Sequence, residues 1–216
     1  MFVGHLGAGL AAKAVARDIN LGAAMAAALL LDAILWLAVL AGWERMIVPA
    51  DYAQKHFLLF DFPFSHSLAA ALLWAVLAAF LWSMVSRRAL LSLGVGVMAL
   101  AVLSHWLLDF LVHEPDLTLW GNASPRLGLG LWNRLDLALL VEMAIALTGL
   151  AMLLTRLRLT RGRKLAVIAM TVIVAALTCL GMQSPTPPPG ATLPAITSLF
   201  AIAMLVAVSA WADRRR

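Results

Sequence analysis

The sequence predicts an all-α polytopic membrane protein, a bundle of about six transmembrane helices with a short N-terminal half-helix. Two observations carry this class. Of 216 residues, 63% are hydrophobic and only 12% are charged, where a soluble domain carries roughly a quarter. The charges that remain fall between long apolar runs, each close to the roughly 20 residues that cross a bilayer core of about 30 Å. A water-soluble globule could not solvate its surface with so few charges. Disorder is excluded by the same numbers. The single cysteine, Cys179, removes any disulfide framework and any cysteine-based zinc finger.

The elements follow in order. Residues 3–17 form a helix too short to span. It lies on the inner surface or inserts as a half-helix, with Asp18-Ile19-Asn20 as its turn. Its basic residues follow the apolar run, unlike those of a cleaved signal peptide. The spans are predicted near 21–42, 67–86, 89–112, 137–156, 165–182 and 193–212. The last two come from one run, 165–212, that lacks Asp, Glu, Lys and Arg; Gln183 to Gly190, with four prolines, breaks it outside the hydrocarbon. The chain reads as one integral domain, 1–216. Polar motifs lie within 1–145, and 165–212 are two helices without a motif.

Charge asymmetry orients the bundle. With the N-terminus inside, the cytoplasmic side receives Lys13, Arg17, Arg87, Arg88, Arg156, Arg158, Arg161, Arg163, Lys164 and Arg214 to Arg216, twelve of sixteen basic residues. Arg45, Lys55, Arg126 and Arg134 fall outside. The net charge of +5 is thus explained by topology and by contact with anionic lipid headgroups, and needs no nucleic-acid partner. The terminal arginines read as an anchor.

Ionisable groups within a bilayer are costly and functional by default. This chain has His5, Asp32, His66, His105, Asp109, His113 and Glu142. Each is a candidate ligand for a divalent cation, since imidazole and carboxylate remain as zinc ligands when cysteine is absent. Apart from Arg156 at the inner end of the fourth, no Lys or Arg lies within the six spans to neutralise Asp32, Asp109 or Glu142. Plainer roles stand beside this reading: Asp32 as a structural hydrogen-bonding group, His66 as a helix cap between Ser65 and Ser67, His113 and Asp116 as loop residues, and His56 as a solvated loop histidine. The tryptophans read as belt and packing residues, and most loop acids as solvated.

Spacing draws the candidates together. His105 and Asp109 are i, i+4 on one helix face, and His113 is a further i+4. His66 and Asp109 each lie about 21 residues from the turn at Arg87-Arg88, so both sit about 32 Å from it. If the half-helix inserts, His5 and Asp32 lie level with one another, about 20 Å from the turn at Asp18-Ile19. Glu142 enters near the outer start of the fourth span.

Several segments carry a family resemblance: Gly4-His5, Leu31-Asp32, Phe64-Ser65-His66-Ser67-Leu68, and Leu103-Ser104-His105-Trp106-Leu107-Leu108-Asp109. His113-Glu114-Pro115-Asp116 and Gly128-Leu129-Gly130-Leu131-Trp132-Asn133 add to it. The chain resembles the bacterial YdjM-like (DUF457-type) membrane-bound metal-dependent hydrolases over roughly residues 1–145. That group is similar in pattern to the zinc phospholipases C and P1-type nucleases. The resemblance implies a divalent metal, zinc in one to three ions, held by His5, Asp32, His66, His105, Asp109, His113 and Glu142. It implies a bacterial inner membrane with both termini cytoplasmic. Spans five and six match no motif.

These observations lead to an expected activity: hydrolysis of a phosphoester or lipid-like substrate by metal-activated water, with Asp32 or Glu142 as general base. A transporter with an Asp/His pathway is the alternative, although the groups concentrate toward one side and have no inverted copy. A scaffold or a haem protein ligated by His66 and His105 is a third class.

Overall fold

The computed structural model describes residues 2–214. Arg215 and Arg216 of the expected terminal anchor lie outside the described residues. The chain is an all-α bundle. Helix α1 (Phe2–Val15) is followed by α2 (Leu21–Ala28) and α3 (Leu30–Leu40). A cap follows, with β1 (Arg45–Ile47), α4 (Tyr52–Lys55) and β2 (Leu59–Asp61). Then come α5 (Leu68–Ser86), α6 (Leu93–Val112), a small hairpin of β3 (Leu117–Thr118) and β4 (Arg126–Leu127), and a 3-10 turn (Leu131–Asn133). Helices α7 (Leu135–Arg156), α8 (Arg161–Met182) and α9 (Thr192–Ala212) complete it. Neither hairpin was expected. Each closes a connection antiparallel, β1 on β2 and β3 on β4.

Five helices, α5 to α9, are long and apolar enough to cross a membrane, and α2 with α3 makes a sixth as one bent span. The exterior suits lipid. On α5, Leu73, Val76, Leu81 and Val85 are exposed. In water, so contiguous an apolar face would be a liability.

The predicted first span, 21–42, is not one straight helix. It bends by 55° at Leu29. No proline or glycine stands at the bend; a side chain drawn into the backbone ladder is the physical cause. His105 Nδ1 lies 2.8 Å from the Ala28 carbonyl, the oxygen that an unbroken helix would pair with the Asp32 amide. The bend also starts a new helix, with Asp32 in its first turn.

Helix α1 inserts as a half-helix. At 14 residues it is about 21 Å long. Val3, Leu6 and Leu10 are fully buried, in one cluster with Met25, Leu29, Leu153, Val167, Ile202 and Leu205. Its close approach to α7 depends on glycine. A Cβ on Gly7 would meet the Ile145 carbonyl at 2.6 Å, and one on Gly149 would overlap the Gly7 carbonyl. By contrast, a Cβ on Gly96 meets nothing within 4 Å.

Ion pairs clasp the end opposite the cap. Lys13 is buried; its Nζ lies 2.8 Å from Asp213 Oδ2 and donates to the Arg17 and Ile19 carbonyls at 2.9 and 2.7 Å. Asp213 also accepts from the Leu21 amide. Arg88 pairs with Asp18 at 2.7 Å. At the cap end, Lys55 bonds Glu114 at 2.9 Å, and His56 Nδ1 donates to the Ser184 carbonyl at 3.1 Å. His56 is therefore half-buried against the α8–α9 loop instead of free in solvent.

Candidate metal centre

Three broken or terminated helices deliver the polar side chains to one place. Helix α1 brings His5, the bend brings Asp32, and the cap-side end of α6 brings His105 and Asp109. His66 comes from the turn before α5. That helix is capped by Ser67, whose hydroxyl accepts from the Ala70 amide at 3.1 Å, so His66 is free of the capping role. Helix α6 ends at Val112 and His113 follows it directly. The Leu129 and Gly130 amides fold back onto the Phe110 and His113 carbonyls at 2.8 and 2.7 Å, satisfying oxygens that a helix end leaves without partners. That return needs glycine at Gly128, where φ is 153° and a Cβ would overlap the His113 and Glu114 carbonyls.

His5, His66, His105 and Asp109 are each at most 2% exposed. His66 Nε2 and His105 Nε2 are 3.2 Å apart. Asp109 Oδ2 lies 3.4 Å from the first and 3.3 Å from the second. Asp32 Oδ1 lies 3.8 and 3.5 Å from the same two nitrogens. On the far side, His5 Nε2 is 3.1 Å from Asp109 Oδ1, and its ring stacks on His105 with centroids 3.5 Å apart. Two overlapping groups result, His5-His105-Asp109 and Asp32-His66-His105. In each, the donor atoms lie within 4.8 Å of one another. These buried His/Asp groups could hold a metal ion.

The outer ring nitrogens fix the tautomers. A carbonyl only accepts, so His105 Nδ1 donates to Ala28, and in the neutral ring that metal ligation requires the lone pair is on Nε2. His66 Nδ1 lies 2.7 Å from Ser65 Oγ, which donates to Glu44 Oε2 at 2.7 Å. The serine proton is spent on Glu44, so His66 Nδ1 donates to Ser65, and its neutral ring likewise carries the lone pair on the inward Nε2. Glu44 Oε1 accepts from the Phe64 and Ser65 amides at 2.8 Å each. Burial pushes the Glu44 carboxyl above its usual range, against the downward pull of these three donors. His113 Nδ1 faces Asp116 Oδ1 at 3.0 Å, with Nε2 turned toward Asp109 at 3.9 Å. Trp106 Nε1 donates to the His66 carbonyl at 2.9 Å. Such outward hydrogen bonds are the support that metal-ligating histidines ordinarily have.

With both rings neutral, two lone pairs face each other at 3.2 Å, a spacing that a cation between them would turn into shared coordination. The donor set therefore fits a divalent metal of the imidazole- and carboxylate-binding kind.

Five of the seven sequence candidates, His5, Asp32, His66, His105 and Asp109, meet within these contacts. His113 stands at the rim. Glu142 lies outside both groups: it is 1% exposed, and its carboxylate faces the backbone of Val3 and Gly4 at the start of α1. Glu44, Ser65, Asp116 and the Ala28 carbonyl were not anticipated as site supports. Glu44 and Asp116 are buried, contrary to the expectation that loop acids are solvated, because each accepts from groups that orient a histidine. The sequence signal for Ser65 was its place beside His66; for Glu44 and Ala28 there was none.

A cavity of about 230 Å³ opens onto the cluster, lined on its polar side by Asp32, His66, Asp109 and His113 and elsewhere by Phe62 and Trp132. No protein-family model, curated protein or solved structure matches the chain.

Proposed function

We propose that the protein is a membrane-bound metal-dependent hydrolase acting on a phosphoester or lipid-like substrate. The observation that carries this reading is the pair of inward-facing Nε2 atoms of His66 and His105 between the carboxylates of Asp32 and Asp109. A divalent cation, with zinc the best match to this donor set, supplies an activated water and a positive charge for a phosphoryl oxygen. His105, with its one inward nitrogen, would hold an ion together with either His5 and Asp109 or Asp32 and His66. Asp32 is the least covered carboxylate of the cluster, 17% exposed, and lines the cavity. It is placed to take the proton of an attacking water. Glu142 stands farther off, in the wall of a neighbouring cavity. Phe62 and Trp132 narrow the approach and exclude bulk water. His113 at the rim can hold a leaving-group proton.

The basic residues Arg87, Arg88, Arg158, Arg161 and Arg163 gather at the end opposite the cap. That distribution supports a bacterial inner-membrane orientation with both termini cytoplasmic and the site turned outward. The permease alternative lacks support from the interior. Below the cluster stand Leu6, Leu10, Met25 and Leu29, all fully buried, and then the Lys13–Asp213 clasp.

Elemental analysis of the purified full-length protein tests the reading, followed by hydrolysis assays on phosphodiester lipids. At least one divalent ion per chain is expected, with activity lost on chelation and restored by zinc. Protein without metal, or with full metal content after His105→Ala, overturns it.

A further inference from the structure

The two C-terminal helices carry no metal ligand, yet they build a cavity joined to the candidate site. This second cavity, about 370 Å³, shares Phe2, Phe60, Trp132 and Ser198 with the first. Its far wall is the cap-side end of α8, with Leu177, Thr178, Gly181 and Met182. Glu142 also lines it but is 1% exposed, so the accessible wall is mainly apolar.

The burial pattern shows why the space exists. The buried residues of α8 are Val167, Met170, Thr171 and Val174, all before its last two turns. Val167, Met170 and Val174 pack with Ile202 and Leu205 of α9. From residue 175 to the helix end nothing on α8 is buried, so the hairpin is packed at one end and parted at the other. His56 holds the parted end to the cap through the Ser184 carbonyl. Ser198 sits where the cavities meet and makes no hydrogen bond among the described residues. It lies six residues into α9, about 9 Å below the helix start.

We propose that the cavity under the cap, open beside the cap-side ends of α8 and α9 and walled also by Tyr52, His56, Phe57 and Leu58, is a lateral access groove that holds the alkyl chain of a membrane amphiphile, while its anionic head lies at the His/Asp cluster beside Ser198. This rests on the metal-hydrolase reading for the head and names the substrate class as a bilayer lipid. The occupant follows from the wall that the two cavities share. One end offers carboxylates and imidazoles that suit a metal-bridged anion. The other offers Leu177 and Met182 within a membrane-spanning helix. Only a molecule with both characters fills both, and the bilayer supplies it directly through the parted helices.

The test uses the full-length protein in nanodiscs with hexadecyl phosphate bearing a chain-terminal diazirine, and the matching photoreactive hexadecanol as the headless control. After irradiation, mass spectrometry is expected to place label on residues 177–182. Unlabelled hexadecyl phosphate should reduce it about tenfold while label at the lipid-facing Val172 and Ile173 persists. Gly181→Leu should fill the groove, since a Cβ there meets nothing within 4 Å. Thr178→Trp is the second filler. Each should lower groove labelling about tenfold with metal content unchanged. Label spread equally over groove and lipid-facing positions, or indifferent to competitor and to both substitutions, overturns the proposal. Competable groove labelling in wild-type protein that holds no metal sinks the hydrolase reading and keeps the chain groove. Bound metal without groove labelling does the reverse.

Discussion

His66 Nε2 and His105 Nε2 face each other at 3.2 Å, and each ring is held by a hydrogen bond from its other nitrogen. His105 belongs to both donor groups and His5 to one. His105→Ala should therefore abolish bound metal, whereas His5→Ala should weaken binding and leave Asp32, His66 and His105 able to hold an ion. Elemental analysis at equal protein concentration checks this. Equal losses from the two variants would contradict the place of His105 in both groups.

Ser65 and Glu44 touch no donor nitrogen on the inner face, yet they orient His66. Ser65→Ala and Glu44→Gln should each weaken metal affinity by about 10–100-fold without removing the site. Chelator competition measures the change. At saturating metal both variants should reach wild-type stoichiometry.

Acid should release the metal. The inward nitrogens bind only as free lone pairs, so protons compete with the ion, and binding must release protons. Affinity should therefore fall as the pH is lowered. The sign is fixed by the ligand form required. Affinity that rises on acidification would exclude histidine ligation.

Gly7 and Gly149 set the α1–α7 distance. Gly149→Leu should destabilise the fold by at least about 1–3 kcal/mol, because backbone and not a flexible side chain would have to yield. Gly96→Ala, with open space around it, is the control and should leave the unfolding temperature in detergent nearly unchanged.

Lys13→Met leaves Asp213 facing the Leu21 amide without its cation. A cost of about 3–5 kcal/mol is expected for a buried pair broken on one side. Arg88→Gln, in the more exposed pair with Asp18, should cost less than about 1 kcal/mol. Thermal unfolding of the two variants in the same detergent separates these cases.

The helices were legible because each span is a long apolar run bounded by charge or proline, and in a bilayer every backbone group must be paired within its own helix. The ends of α5, α7, α8 and α9 fall within about four residues of expectation. The five candidates that the structure brings together were legible for a related reason: a histidine or carboxylate within or beside such a run is costly there, even where a plainer role stands beside the functional one. His5 was found this way even though its helix is too short to span.

The bend at Leu29 was not legible. Nothing in Ala27-Ala28-Leu29-Leu30 breaks a helix; the cause is His105, 77 residues away, reaching the Ala28 carbonyl. Glu44 looked like one more loop acid until Phe64 and Ser65 closed over it. The small hairpins and the parted ends of α8 and α9 are likewise products of packing.

Hydropathy and charge spacing are local along the chain, and they sufficed for membrane class, helix count and the identities of the inward polar residues. Which nitrogen of each histidine points inward, which carboxylates stand beside it, and how a lipid-sized space reaches them are relations among distant segments. They exist only once α1, α3 and α6 are packed and the cap is closed over them, because hydrogen-bond direction and cavity shape depend on separations in space that a linear pattern does not encode.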